Sequence, residues 1–161
     1  MLQYHSKDKY ATPATEARVQ EYKVRGFPAL MFNGRNAVMG GFSGSYKDQT
    51  KAIDKELAKE AAVTLTLSVL EGVNMPTMAL VTNVSGAAIT NARLMAVVYE
   101  DLGTDEHHYV VREILEPVVF DLAANSSQDY SFKPNFTGDE QYMVTFVQAA
   151  SGEVLQAAST G

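Results

Sequence analysis

The sequence predicts an α+β chain in two parts, a short β-α-β-β-α unit over residues 1–60 and an all-β sandwich over residues 62–161. Three observations predict it. The first part carries a helix-start signature at Thr12–Glu16 and a helical apolar stripe over residues 45–61. From Val63 the period switches to strict alternation, Val63-Thr64-Leu65-Thr66-Leu67-Ser68-Val69. The net charge changes sign between the parts, +3 over residues 1–60 and −9 over residues 61–161, for −6 in all.

The elements follow in order. Residues 2–5 read as a first strand. Thr12 is an N-cap, Pro13 suits the first helical position and Glu16 stands near the return position of a capping box. The helix runs to about Tyr22, with Gly26 as its stop. Phe27-Pro28-Ala29-Leu30-Met31-Phe32 is a nearly continuous apolar run, read as a buried strand with Pro28 at its start, where a missing N–H is tolerated. Asn33-Gly34 is a hairpin signal and predicts an antiparallel strand over residues 36–40. Residues 45–61 read as an amphipathic helix. Ile53, Leu57 and Ala61 form its buried stripe, Tyr46 and Thr50 extend it, and Lys47, Lys51, Lys55 and Lys59 form a solvated row.

The second part supplies about seven short strands, over residues 63–69, 77–84, 92–100, 118–122, 130–133, 141–148 and 153–158. Turn signals separate them: Gly72 with Asn74, Ser85-Gly86, Leu102-Gly103-Thr104, Asn125-Ser126-Ser127, Thr137-Gly138-Asp139 and Ser151-Gly152. That density is the pattern of an immunoglobulin-like or fibronectin-like sandwich. Neither Cys nor Trp is present, so an antibody-type domain is excluded.

Composition bounds the rest. A chain of 161 residues with 46% apolar and 20% charged residues is an ordinary globular chain, not a disordered one. No stretch approaches the ~20 apolar residues a membrane span needs. Met1-Leu2-Gln3-Tyr4-His5 has neither the basic region nor the apolar core of a signal peptide. The acidic balance argues against nucleic acid as a partner. With no cysteine, the chain as given cannot perform dithiol chemistry and is read as no enzyme.

The segment Tyr22-Lys23-Val24-Arg25-Gly26-Phe27-Pro28-Ala29-Leu30-Met31-Phe32-Asn33-Gly34 resembles the late-central part of thioredoxin-like proteins. There a helix ends in Tyr-x-Val-x-Gly/Ser-x-Pro-Thr before an apolar strand. The resemblance implies a truncated thioredoxin-like domain over residues 1–60, lacking the Cys-x-x-Cys half. It implies a cis bond at Pro28 and an extended peptide docked at Phe27, Pro28 and Ala29. Ala29 stands where the family has Thr. The order of the two parts, with Val97-Val98-Tyr99-Glu100-Asp101 and His107 to Glu113 in the second, resembles bacterial cell-envelope proteins that join a thioredoxin-like to an immunoglobulin-like domain. That implies an envelope, periplasmic or extracellular location and a peptide or protein partner. Residues 1–60 make a thin core with an exposed apolar edge, so the incomplete unit is expected to lean on the sandwich or on a second chain, as a homodimer.

Candidate chemistry elsewhere is sparse. His107-His108, after Asp105-Glu106, is the conspicuous metal-ligand cluster. Adjacent histidines on a strand face opposite ways and His5 is far off in sequence, so a solvated loop is the favoured reading. Gly41-Phe42-Ser43-Gly44 is one residue short of a nucleophile elbow and reads as a turn. Glu100-Asp101, Asp105-Glu106 and Asp139-Glu140 lack calcium-loop spacing and read as surface acidity. Asn83, Asn125 and Asn135 head glycosylation sequons read as chance. No cofactor is expected.

The leading expectation is a non-catalytic binding or scaffolding fragment. Two alternatives stand beside it: the C-terminal portion of a thiol–disulfide oxidoreductase whose redox motif lies upstream of Met1, and a stand-alone adhesion or ligand-binding sandwich. Tyr109, Tyr130 and Phe136 are the candidate platform for the second of these.

Overall fold

The computed structural model describes residues 1–40, 43–69, 76–103 and 107–161. The elements run α1 (Pro13–Glu21), β1 (Ala29–Phe32), β2 (Asn36–Met39), α2 (Ser45–Leu57), β3 (Val63–Val69), β4 (Thr77–Asn83) and β5 (Ile89–Glu100). They continue as β6 (Val110–Ile114), β7 (Val118–Leu122), β8 (Ser127–Phe132), β9 (Gln141–Gln148) and β10 (Val154–Ser159).

Thr12 starts α1. Its hydroxyl accepts from the Thr15 N–H at 3.2 Å, and the Thr15 hydroxyl accepts from the Thr12 N–H at 2.8 Å, a reciprocal capping box. Glu16, the residue the sequence points to for the return bond, instead takes the Ser6 hydroxyl and the Lys7 N–H, which pins the chain ahead of the helix. The helix stops before Gly26, because Lys23 already adopts φ 53 just past its end. In the hairpin, Asn33 (φ 46) and Gly34 (φ 73) take the left-handed conformations that an Asn-Gly turn provides.

Among the described residues, ten strands form three antiparallel sheets. The hairpin is one, β3-β4-β8 is the second, and the largest has the order β10-β9-β5-β6 with β7 also on β5. Strand β5 is long enough to serve three partners. It pairs β9 over Arg93–Glu100 on one edge; on the other, Val97–Glu100 meets β6 and residues 89–94 meet β7. The three-stranded sheet lies against one face of this large sheet. Val63, Ala79, Val81 and Phe132 from the small sheet share a core with Leu94, Ala96, Phe120, Met143 and Val147 from the large one.

The opposite face of the large sheet is also covered. Met95, Val97, Val111 and Phe146 pack there, with Leu2 and Tyr4 laid over them. This explains the unbroken run Leu94-Met95-Ala96-Val97-Val98-Tyr99, every residue of which is buried: a strand covered on both faces has no polar side to present.

Two expectations about fold are corrected. The β-α-β-β-α unit does not form as a shared sheet. β1 pairs with β2 alone among the described residues, and residues 2–5 make no strand beside it. Gln3 instead bridges to β6, donating its N–H to Tyr109 O at 2.8 Å and accepting from the Val111 N–H at 3.1 Å. Among the described residues, the thioredoxin-like assignment is therefore replaced by two helices and a separate hairpin set on a mostly β chain. The immunoglobulin-like or fibronectin-like sandwich is replaced by the strand order above. Alternation locates strands but not their neighbours, and β6, Val110-Val111-Arg112-Glu113-Ile114, has no alternation to predict it. No helix among the described residues is long and apolar enough to cross a membrane.

Leu94 is fully buried between the sheets, so Leu94→Ala should cost about 2–5 kcal/mol in urea unfolding. Val119, 63% exposed on β7, should tolerate Ala within about 0.5 kcal/mol.

Candidate functional site

The chemistry that positions the candidate site begins at Arg18. It lies on α1 and is only 3% exposed despite its charge. A buried guanidinium needs compensating partners, and four residues provide them around its terminal nitrogens and its faces. Arg18 Nη1 donates to Glu21 at 2.5 Å, and Nη2 donates to the Tyr22 hydroxyl at 2.6 Å and to Gln148 Oε1 at 3.1 Å. The guanidinium also stacks 4.4 Å from the centre of the Tyr22 ring and 5.8 Å from that of Phe146. Its Nε finds no hydrogen-bond partner among the described residues.

The second layer comes from the large sheet. Arg93 Nη2 on β5 donates to Glu21 at 2.5 Å and to Gln148 Oε1 at 2.9 Å. Gln148, 1% exposed, donates in turn to Gly152 O at 2.7 Å in the β9–β10 turn. The hairpin turn sits on the same place. Val154 N–H bonds Asn33 O at 2.9 Å, and a Cβ on Gly34 would fall 2.4 Å from Gly152 O, so only glycine fits there. Beside it, Lys59 bridges Glu56 and Glu153, and Arg35 joins Glu153 at 2.9 Å. These pairs hold Glu153 below the usual carboxylate range, the Lys59 hydrogen bond first.

The network sets proton affinities. Burial pushes the Tyr4 and Tyr22 hydroxyls up, with Arg18 pulling each partly back. Burial alone would lower Arg18, but the neighbouring tyrosines and Glu21 outweigh it and the group is raised. Burial alone would raise Glu21, but hydrogen bonds from Arg93 and Arg18 hold it below its ordinary 4.5.

Held this way, the C-terminal turn of α1 and strand β1 enclose a groove of about 260 Å³. Tyr22, Val24, Ala29, Leu30, Met31 and Ala37 give it apolar walls, and Lys23 and Arg25 stand at its rim, both exposed. The Phe27-Pro28-Ala29 segment lies at the start of β1. The Phe27–Pro28 bond is cis, Phe27 is 58% exposed, and Ala29 sits opposite Met39. Pro28 O accepts from the Gly40 N–H at 2.9 Å, and Gly40 packs so closely that a Cβ would meet the Pro28 ring at 3.3 Å.

The other sequence candidates are scattered. His107 does not share a site with His108. His108 bonds Asp101 at 2.9 Å, whereas the His107 ring lies 5.2 Å from His5 and 5.0 Å from Tyr10. His5 is itself bonded to Asp8, and among the described residues no group of three or more His, Cys, Asp or Glu is placed to hold a metal. Asp105, Glu106, Gly41, Phe42, Gly72, Asn74 and Thr104 lie outside the described residues. Glu100 is paired with Arg112 and Asp101 with His108. Asn83 is fully buried, its amide donating to Ala87 and Ala123, and so is a structural residue. The three candidate platform aromatics do not assemble: Tyr130 packs on Phe120 at 5.3 Å, Tyr109 leans on Tyr99 at 5.7 Å, and Phe136 stands 43% exposed.

Arg18, Glu21, Arg93 and Gln148 were not singled out in the sequence. The Arg18–Glu21 spacing is a local helical ion-pair signal, but the link to Gln148 spans 130 positions and leaves no trace in any motif.

Comparison with protein-family models and with curated protein sequences gives no match. Among solved structures, the chain is similar to Protein AGR_C_4864 from Agrobacterium tumefaciens, with a TM-score of 0.60 and 15% identity, over 94% of this chain and 72% of that one. That likeness is one of fold. A β-glucuronidase from Bacteroides uniformis aligns at a TM-score of 0.38 and 14% identity, over 61% of this chain and 12% of its own. The alkylpurine DNA glycosylase AlkC of Pseudomonas fluorescens aligns at 0.38 and 16%, over 68% and 33%.

The folded Glu21 carboxyl binds its proton more weakly than an unfolded one, so its contribution is complete above about pH 4.5 and fades as pH falls through the lower folded value. Glu21→Gln should therefore be less stable than the parent at pH 7, and the gap should close in urea titrations taken toward pH 3.

Proposed function

We propose that the chain is a non-catalytic binding module that docks an extended, acidic peptide along the outer edge of β1. The observation that carries this reading is the juxtaposition at the groove. A strand that, among the described residues, is paired on one side only borders an apolar slot, and two exposed cations, Lys23 and Arg25, stand at its rim. A one-sided strand presents backbone donors and acceptors that an extended chain satisfies by adding a strand. The apolar walls take alternate side chains of such a peptide, and the cations select acidic ones between them. Phe27, Pro28 and Ala29 lie where the peptide would enter β1, so their role is docking. The chain offers no thiol of its own for dithiol–disulfide chemistry, and the proposal is one of peptide binding.

Fluorescence anisotropy with a labelled eight-residue peptide alternating Val and Glu tests it. The Val/Glu peptide should bind, and a Val/Lys peptide should bind at least about tenfold more weakly, a difference of about 1.4 kcal/mol. The double variant Lys23→Glu/Arg25→Glu should reverse the preference. Equal binding of both peptides to the parent chain, or no binding of either, would refute the proposal.

A further inference from the structure

Helix α2 is turned an unusual way, and the consequence is a surface made for a second copy of itself. The helix packs on β2 and β1, yet buries no residue fully. The residues of its half-buried face are Ser45, Gln49, Ala52 and Glu56, three polar and one a small apolar residue. The apolar stripe that the sequence assigns to a core points sideways into solvent. Tyr46 is 79% exposed, Leu57 78% and Ile53 44%, with Thr50 exposed between them. At 3.6 residues per turn these four fall within one narrow strip, about a quarter-turn from the hairpin face. On the strip's far flank stand Lys47 and Asp54, both exposed.

The spacing of these residues is self-complementary. Laid antiparallel on a copy of itself about a two-fold axis near residue 51, α2 sets Tyr46 against Leu57 of the second copy and Thr50 against its Ile53. In the same arrangement Lys47 and Asp54 of the second copy lie along one flank, offset by two residues or about 3 Å of helix rise, within the reach of a flexible lysine. Two-fold symmetry repeats every contact, so both ion pairs form together, as an isologous interface requires.

We infer that this chain self-associates through an antiparallel α2–α2 contact. The strip is about 20 Å long, set by the rise of thirteen residues, and falls well short of the ~800 Å² per partner of a standard interface. The dimer is accordingly weak and reversible. It uses none of the groove residues, so it stands or falls independently of the peptide-docking proposal.

Sedimentation velocity across about 5–500 µM tests it, a range suited to a small interface. The parent chain should shift from monomer to dimer over that range. Tyr46→Glu/Leu57→Glu, on solvent-facing positions, should keep the parent's circular dichroism and remain monomeric. Lys47→Glu and Asp54→Lys should each weaken association, and the two combined should restore it, because the swapped charges meet again across the axis. Since the chain has no cysteine, Thr50→Cys should form a disulfide-linked dimer under mild oxidation at least tenfold faster than Val119→Cys, whose side chain is exposed on β7. A parent chain monomeric at 500 µM would overturn the inference. So would single charge reversals without effect, a double reversal that fails to rescue, or equal oxidation rates for the two cysteine variants.

Discussion

The buried guanidinium of Arg18 is the constraint on which the arrangement depends. Water is removed from a full charge on α1, and the cost is offset only because Glu21, Tyr22, Gln148 and two aromatic faces surround it. Two of those groups, Tyr22 and Glu21, are local. Gln148 belongs to β9, and Arg93 on β5 repeats its contact. The hub therefore ties a short helix to the two central strands of the large sheet. Once α1 is fixed there, Leu2 and Tyr4 cover the second face of that sheet, and β5 is buried on both sides.

The same tie places the groove. Its walls come from the turn that ends α1 and from β1, two pieces with little of their own to hold them. The hairpin is a two-stranded sheet, a form with marginal stability in isolation. Its footing is the Gly34 turn seated on Gly152 and the Lys59–Glu153–Arg35 cluster beside it. The exposed pairs of that cluster contribute little each, so the close fit at Gly34 and the hub carry most of the attachment.

The strands were legible in the sequence wherever one face was wet. The alternation at Val63–Val69 and the turn residues between later strands located β3, β4, β7, β8, β9 and β10 to within a few positions. β6 was missed because Val110-Val111-Arg112-Glu113-Ile114 neither alternates nor ends in turn residues of its own. Sheet order was not legible, since pairing is decided by contacts between distant segments; Gln3 joining β6 is the clearest case. The apolar stripe of α2 was legible as a stripe but not as a surface, because periodicity reports a face and not what covers it. At the candidate site, the Phe27-Pro28-Ala29 turn could be read locally. The Arg18 hub could not, because its meaning lies in Gln148 and Arg93.

The most direct test of this account is amide hydrogen exchange on Arg18→Met, which keeps the apolar bulk and removes the charge and its hydrogen bonds. The account predicts that the amides of α1 exchange at least about tenfold faster while those of β5 and β9 keep their protection, the signature of local release without global unfolding. Unchanged protection in α1, or an equal loss across all three elements, would contradict it.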